Sequence, residues 1–478
     1  MHLQLDKDLL QLLDLVRESA SGTRVYLVGG AIRDLLLGRP AKDLDFVQPH
    51  GSIQLAKAVS RRLHGTVYTL DDVRHSARVI LRQGEHDEQV LDFTSFIGEN
   101  LEEDLHQRDF TINAMALDLD APEQMIDPLN GEKDLEDGLL RLCGPDSLSS
   151  DPLRVLRGVR LISSLNLQYG FEITTAMRVA TKKLSLVSGE RIRDELFKCL
   201  VVQNFKAAIK LLGEFGILDQ LRLLIFGEDP FEPQSPEQSS KLLAAMTGLK
   251  NTLLAFDKKD KSLLTLLPWE KHLETYQAML ETPLQGGRKR RYLLVLCSLT
   301  LHIHPLFDAV QSGEVHLFPS VFSEQIARSL LTGQKEKAYF QAVSGGFLRL
   351  ADLSASKPGK LDYYRFFRDF GSYGLDSALL AMVEGETKGD KFLFALEILQ
   401  EVFYTWFEEH AKVVSPPRLV DGSQLQQELS VGPGSCIGHL LESIREQQVL
   451  GKVNTTAEAI AYARSEYERN GKHDCTST

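Results

Sequence analysis

The chain has 478 residues, 43% hydrophobic and 25% charged, the make-up of an ordinary globular protein with more than one hydrophobic unit. No run of about 18 apolar residues offers a membrane span, and the acidic, amphipathic start MHLQLDKDLLQLLDLV lacks the basic and apolar regions of a secretory leader. The formal charge of -12 argues against indiscriminate polyanion binding, although residues 151–198 carry nine Lys/Arg against five Asp/Glu. The chain therefore reads as cytoplasmic, without a membrane partner. Cys143, Cys199, Cys297, Cys436 and Cys475 show no CxxC pairing and are expected to be reduced thiols.

Residues 1–20 fit one amphipathic helix, with Leu9, Leu10, Leu12, Leu13 and Val16 on one side. An apolar run at Val25–Val28 predicts a strand closed by Gly29-Gly30, and Ala31 to Leu37 predicts a helix. Further strands are expected at Leu44–Val47, Ala77–Leu81 and Gln89–Phe93, with a turn at Gly84 between the last two. Residues 20–140 thus read as a small α/β unit around a mixed sheet. From about residue 150 helical periodicity takes over, through Leu153, Leu156, Val159 and Leu161, then 184–200 and 209–221. Breaks are expected at 226–240 (FGEDPFEPQSPEQSS), at 284–291 (LQGGRKRR) and at Ser415-Pro416-Pro417.

The densest chemistry lies between Leu27 and Val47, LVGGAIRDLLLGRPAKDLDFV. Two glycines between a strand and a helix let the backbone approach a phosphate, and the free N–H groups of a helix start attract the anion. The same pattern also serves as a plain tight turn. In Asp43-x-Asp45, strand residues i and i+2 put both carboxylates on one side, which is unfavourable unless a cation lies between them. Hard oxygen ligands beside nucleotide phosphates suit Mg²⁺. The bland reading is an exposed polar strand edge. GGAIRD matches neither GxGxxG nor GxxxxGK[ST], and no GxSxG elbow occurs. Asp151 and Arg154 share a helix face at i, i+3. A carboxylate accepting from an exocyclic amine and a guanidinium donating to ring acceptors together match the edge of C or A. The plain alternative is an intrahelical salt bridge, with Asp151 as N-cap and Pro152 at N1.

Gly29-Gly30-Ala31-Ile32-Arg33-Asp34, Leu37-Gly38 and Asp43-Leu44-Asp45 resemble the first motif of the class II tRNA nucleotidyltransferases and bacterial poly(A) polymerases, of the DNA polymerase β nucleotidyltransferase superfamily. Four more blocks resemble that family's motifs in its order. They are Glu102 to Met115 with Arg108-Asp109 and Asn113; Ile126-Asp127-Pro128 to Gly131 and Asp134; Asp151 to Arg157; and Glu190-Arg191-Ile192-Arg193-Asp194-Glu195. Leu419 to Leu425, Val431 to Gly434 and Ile437 to Leu441 resemble its C-terminal RNA-binding region, while 205–410 matches loosely.

The resemblance implies an α+β fold: a small mixed-sheet nucleotidyltransferase head at 1–140, then an all-α neck at 141–225, body at 226–414 and tRNA-binding tail at 415–478. It implies addition of C and C, with or without a final A, to the tRNA 3′ end from CTP and ATP without an RNA template. Asp43 and Asp45 match the Mg²⁺ ligands of a two-metal mechanism, and Asp92 is the candidate third carboxylate, orienting or deprotonating the attacking hydroxyl. Gly29, Gly30 and Arg33 match residues that hold the triphosphate, and Arg108, Asp109 and Asn113 match contacts to ribose and phosphates. Asp151 and Arg154 match the base-reading pair, Arg157 with Arg160 a phosphate contact, and Arg191 with Arg193 the buttress of the nucleotide pocket.

Three departures stand out. Position 107 is Gln where a second Arg is common, and position 150 is Ser where an acidic residue is usual. Only nine residues, Phe93 to Leu101, separate Asp92 from the acidic block at Glu102. That short segment resembles enzymes that add CC and leave the A to a separate A-adding partner acting on the same tRNA. Leu301-His302-Ile303-His304 lacks a His-Asp pair, so its histidines are expected to pack or lie on the surface, without phosphohydrolase activity. Two alternatives stay open: a poly(A) polymerase, and a catalytically inactive RNA-binding protein, against which the intact Asp43-x-Asp45 argues.

Overall fold

The computed structural model describes residues 3, 5–41, 43–72, 75–82, 88–227, 236–258, 270–284, 287–304, 318–388 and 396–470. It divides into two units, Met1–Gln220 and Leu221–Thr478.

In the first unit seven strands form one sheet: β1 (Tyr26–Val28), β2 (Asp43–Gln48), β3 (Thr66–Asp71), β4 (Ser76–Arg82), β5 (Glu88–Ser95), β6 (Ala116–Asp118) and β7 (Met125–Ile126). Their spatial order is β3-β4-β5-β2-β1-β6-β7. β2 and β5 run parallel and all other neighbours antiparallel, so the sheet is mixed as expected.

Period-two alternation sorts the side chains of β2 and β5. Leu44, Phe46, Leu91 and Phe93 are all buried, and the two phenylalanine rings stack with centroids 5.1 Å apart. Three helices come early in the chain: α1 (Lys7–Ser19), α2 (Gly30–Leu36) and α3 (Ser52–Leu63). α3 packs on β4 and β5 and α1 packs on α3, burying Leu9, Leu13, Val16, Leu55, Ala56 and Val59. The other face is covered at β1 and β6, where Tyr26, Val28, Val47 and Ala116 cluster with Leu105, Ala114 and Cys143.

The remaining elements of this unit are helical: α4 (Leu101–His106), α5 (Gly131–Glu136), α6 (Arg154–Leu165), α7 (Phe171–Thr181), α8 (Gly189–Val201) and α9 (Phe205–Glu214), followed by α10 (Ile217–Phe226), whose residues from Leu221 on belong to the second unit. The Asp127–Gly131 motif has a clear structural use. Both carboxylate oxygens of Asp127 cap α5, accepting from the Gly131 and Glu132 N–H groups at 2.7 and 2.9 Å. A Cβ on Gly131 would stand 2.2 Å from the Thr111 carbonyl oxygen, so only glycine lets α5 approach this closely. The Thr111 hydroxyl in turn donates to buried Asp134 at 2.7 Å, fixing the 3₁₀ turn Thr111–Asn113.

Several expected boundaries shift. β3 and the short β6 and β7 are additional strands, and the Gly84 turn lies outside the described residues. A helix spans Pro236–Lys258, so the last five residues of the expected 226–240 break are helical; 228–235 are outside the described residues. Another helix, Arg290–Ile303, takes in the last two residues of the expected 284–291 break. The reason is electrostatic. Arg290 is buried and donates to Asp376 from Nε at 2.6 Å and Nη2 at 3.0 Å, while the Tyr276 and Tyr339 hydroxyls donate to the same carboxylate at 2.8 and 2.7 Å. His302 pairs with Glu384, both buried, and His304 packs on Phe226 and Phe322, where burial pushes its pKa down to about 4. In the C-terminal segment Asp421 and Gln424 cap the helix Gly422–Leu429 reciprocally, above a core of Val420, Leu425, Ile437, Leu440 and Ile444. Cys143, Cys199 and Cys297 are buried free thiols, as expected; Cys436 is disulfide-bonded, which composition did not reveal.

Asp376→Ala would leave the Arg290 charge buried without its partner. It is expected to cost about 3–5 kcal/mol, read as a lower urea midpoint for the C-terminal unit by circular dichroism.

Candidate active site

The open part of the sheet face begins where the apolar cover over β1 ends. Asp43 is exposed and Asp45 half-buried, both on the same side of β2. Parallel register sets Asp92 of β5 directly beside Asp45, and antiparallel register sets Arg78 of β4 directly beside Asp92. Arg78 grips Asp92 as a fork, Nε to Oδ1 and Nη2 to Oδ2, both at 2.8 Å. Among the described residues Asp43 and Asp45 take part in no side-chain hydrogen bond or ion pair. Burial raises the Asp45 carboxyl above its ordinary pKa, Arg108 works against that, and Asp92 and Asp43 add to it. Arg78 is held more basic than a free guanidinium, chiefly by its hydrogen bonds to Asp92 and also by Asp43 and Asp45.

The glycine turn presses on this row. Gly29 caps α2 at φ 81° and ψ -146°, a conformation that essentially only glycine adopts. A Cβ there would stand 3.1 Å from Asp45 Oδ2 and 3.3 Å from Arg108 Nη1. At Gly30 it would stand 3.2 Å from Arg33 Nη2. The two glycines therefore leave room for one carboxylate and two guanidinium groups beside a helix start.

Arg33 is buried and already engaged. Its Nε and Nη2 donate to Asp34 Oδ1 at 2.9 and 2.8 Å, and its Nη1 donates to Asn113 Oδ1 at 2.5 Å. Asn113 passes the chain on, donating from Nδ2 to Asp109 Oδ1 at 3.1 Å. Asp109 also accepts the Phe110 N–H at 2.8 Å and faces Arg157 Nη1 at 3.4 Å. Burial alone would raise its pKa, but Arg157, the Asn113 amide and the Phe110 N–H outweigh burial and hold it low. Arg108 does not pair with Asp109. It reaches back one helical turn to buried Asp104, whose Oδ2 accepts from Nε and Nη2 at 3.2 and 2.9 Å.

At the start of α6 the two readings of Asp151 and Arg154 can be compared with geometry. α6 begins at Arg154, with Leu153 as its N-cap, so Asp151 is not the cap residue and the pair forms no intrahelical salt bridge. Asp151 instead accepts from the Leu153 N–H at 3.2 Å and from Arg191 Nη2 at 2.7 Å, tying the start of α6 to α8. The Arg154 guanidinium is held by two main-chain carbonyls, Ser147 O at 2.7 Å and Gln107 O at 2.9 Å, with the Ser150 hydroxyl at 3.4 Å. Its Nε is buried and unpartnered, and burial lowers its pKa against the pull of Asp109 and Asp151. Arg160 turns away to buried Glu195 at 2.7 Å, and Arg193 pairs with Asp194 at 2.9 Å.

The first unit thus brings together Gly29, Gly30, Arg33, Asp43, Asp45, Asp92, Arg108, Asp109, Asn113 and Arg157, while Asp151, Arg154 and Arg191 form a second cluster at the start of α6. Sequence reading passed over Asp104 and Arg78. The first was visible as a carboxylate four residues before Arg108 on a helix; the second depends on strand register. Among the described residues no three metal-binding side chains converge as a ready shell. The donor chemistry nonetheless fits Mg²⁺, which is commonly bound by one or two carboxylates together with substrate phosphates.

A family model described as the poly A polymerase head domain matches residues 25–141, and one described as the probable RNA and SrmB-binding site of polymerase A matches 170–224. The chain is 29% identical over 442 residues to a CC-adding tRNA nucleotidyltransferase of Synechocystis, covering 92% of each chain. It is 27% identical over 447 residues to an A-adding tRNA nucleotidyltransferase of Deinococcus radiodurans, covering 92% of this chain and 94% of that one. Its fold matches that of the Thermotoga maritima CCA-adding enzyme complexed with tRNA at a TM-score of 0.60 and 19% identity, over 97% of this chain and 96% of the other.

Gly29→Ala should strain the turn and crowd Asp45. The expected loss is about 1–3 kcal/mol, measured as a lower urea midpoint at unchanged m-value.

Proposed function

The chain belongs to the class II tRNA nucleotidyltransferase and bacterial poly(A) polymerase family, and from that premise we propose that it is an enzyme adding cytidines to the tRNA 3′ end and stopping after the second. One observation carries the chemistry. Two like-charged carboxylates, Asp43 and Asp45, stand on one side of β2 with no ion pair among the described residues, pressed by a glycine turn that also leaves room for two arginines. Such a pair is unfavourable by itself and suits a divalent cation, Mg²⁺ in this reading. Bound there, the ion supplies charge stabilisation at the attacking 3′ oxygen and at the pyrophosphate leaving group.

The side chains divide the remaining work. The start of α2 at Gly29-Gly30, through the Gly30 N–H since that of Gly29 donates to Met115 O at 3.3 Å, receives with Arg33 and Arg108 the triphosphate of the incoming CTP. Asp109 and Asn113 address its ribose. Asp151 accepts from the exocyclic amine of the base while Arg154 donates to its ring acceptors, so that side chains take the place of a template. Asp92, beside Asp45, is the third carboxylate, directed at the RNA 3′-hydroxyl. On this reading the head, neck, body and tail boundaries at 140, 225 and 414 follow the family's order, and the tRNA acceptor arm is recognised mainly through shape, phosphates and 2′-hydroxyls.

The stop after CC rests on the segment joining β5 to α4. The Phe96 N–H donates to Gln48 O at 3.0 Å, the Ile97 N–H to Asp104 Oδ1 at 3.0 Å and the Glu99 N–H to Glu103 Oε2 at 2.9 Å, while Asn100 caps α4. A connection this short and this tethered has no slack to reshape a pocket for ATP. The two relatives of opposite specificity are about equally similar to this chain, so overall identity does not decide the matter.

Transcripts of tRNA lacking CCA, incubated with Mg²⁺ and CTP, ATP or both, are expected to gain two cytidines and no adenosine; a third nucleotide, or a ladder of adenosines, overturns this reading. A separate A-adding enzyme should then complete the product. Asp43→Ala should reduce addition by more than about a hundredfold, beyond the loss typical of mutated outer-shell partners of a metal. Arg154→Ala should relax the preference for CTP over UTP by about ten- to a hundredfold, the worth of one bidentate base contact.

A further inference from the structure

The fork of Arg78 on Asp92 has no role in the chemistry described above, yet it occupies the middle of the carboxylate row. Across the strands the directly paired residues run Tyr68, Arg78, Asp92, Asp45 and Val28. Paired residues in a sheet share a face. One guanidinium therefore stands in line with two carboxylates, with Asp43 two residues further along the same face. Its side chain is 42% exposed and that of Asp92 23%, so the pair sits at the rim of the open face, where it can part without disrupting the core.

The charge balance explains the pairing. Three carboxylates on neighbouring strands repel one another, and a cation relieves that repulsion. Arg78 takes both oxygens of Asp92 in the two-bond geometry that suits guanidinium and carboxylate. Asp43 and Asp45, by contrast, have no such partner among the described residues. We propose that Arg78 is a resident counter-cation: it occupies the third carboxylate while the site holds no metal and gives Asp92 up when a divalent cation is bound between Asp43 and Asp45. Arg78 is thus a positioning residue acting through Asp92, which joins the reactive constellation only in the loaded site. This inference rests on the assignment of Asp43 and Asp45 as metal-holding residues.

The test measures Mn²⁺ binding to the nucleotide-free full-length protein by electron paramagnetic resonance, with circular dichroism to verify folding. Arg78→Met frees both oxygens of Asp92, whose negative charge then stands unpaired beside the dication, so binding should tighten about tenfold. Arg78→Lys keeps the charge and loses the fork, and should tighten binding less than Arg78→Met. In Arg78→Met combined with Asp92→Asn the gain should vanish, because it depends on a freed Asp92. Asp43-dependent Mn²⁺ binding that is equal in wild type and Arg78→Met overturns the counter-cation role alone. A gain that survives Asp92→Asn also overturns it, since Arg78 would then act by charge alone. Absence of any Asp43-dependent Mn²⁺ binding overturns the metal assignment and this inference with it. If Arg78→Met fails to fold, Arg78→Lys decides on the same scale.

Discussion

The architecture of the first unit depends on the alternation of β2 and β5 in parallel register. That single constraint places Asp43, Asp45 and Asp92 on one face and Leu44, Phe46, Leu91 and Phe93 on the other. The magnitudes show why the arrangement persists. Burying four large apolar side chains contributes roughly 6–12 kcal/mol at about 1.5–3 kcal/mol each. Repulsion between partly solvated carboxylates a few ångströms apart is on the order of a few kcal/mol, and Arg78 removes part of it. The hydrophobic face therefore holds the acidic face in a configuration that it would not adopt alone.

The second layer of control is the set of supports behind the first. Asp104 holds Arg108, Asp34 and Asn113 hold Arg33, and the chain from Asn113 through Asp109 ends at Arg157. Each guanidinium has its direction already set, so in the proposed chemistry little side-chain freedom remains to be lost on binding a polyanion. The Asp127–Gly131 turn belongs to this layer too. It touches no reacting group in the proposed chemistry; it fixes the turn from which Asn113 projects.

Much of this was legible in the residues, and the exceptions have physical causes. β1, β2, β4, β5 and α2 follow from apolar runs and the glycine pair. β3 was missed because an exposed edge strand, with Tyr68 and Leu70 in solvent, lacks the burial-driven alternation that marks a strand. The Arg78–Asp92 pair is 14 residues apart in sequence and depends on register, which a one-dimensional pattern does not contain. Spacing on a helix predicts that Asp151 and Arg154 pair with one another. α6 begins too late for that, and each found a partner elsewhere: Arg191 for the carboxylate, main-chain carbonyls for the guanidinium. A cluster such as LQGGRKRR reads as solvated loop until a buried carboxylate such as Asp376 is known to await one of its arginines.

The way Arg154 is held bears on how this chain could change over generations. Its guanidinium hangs from the backbone oxygens of Ser147 and Gln107, which every amino acid supplies alike. Replacing the side chain at 107 therefore leaves that anchor in place, and the small hydroxyl of Ser150 is a third, weaker support at 3.4 Å. A glutamine where an arginine is common, and a serine where an acid is usual, are then substitutions this part of the chain can absorb without releasing Arg154. Neutral drift is easy at those positions and closed at Gly131, where a methyl group would meet the Thr111 carbonyl oxygen at 2.2 Å, while Gly29 is held to glycine by its φ of 81°.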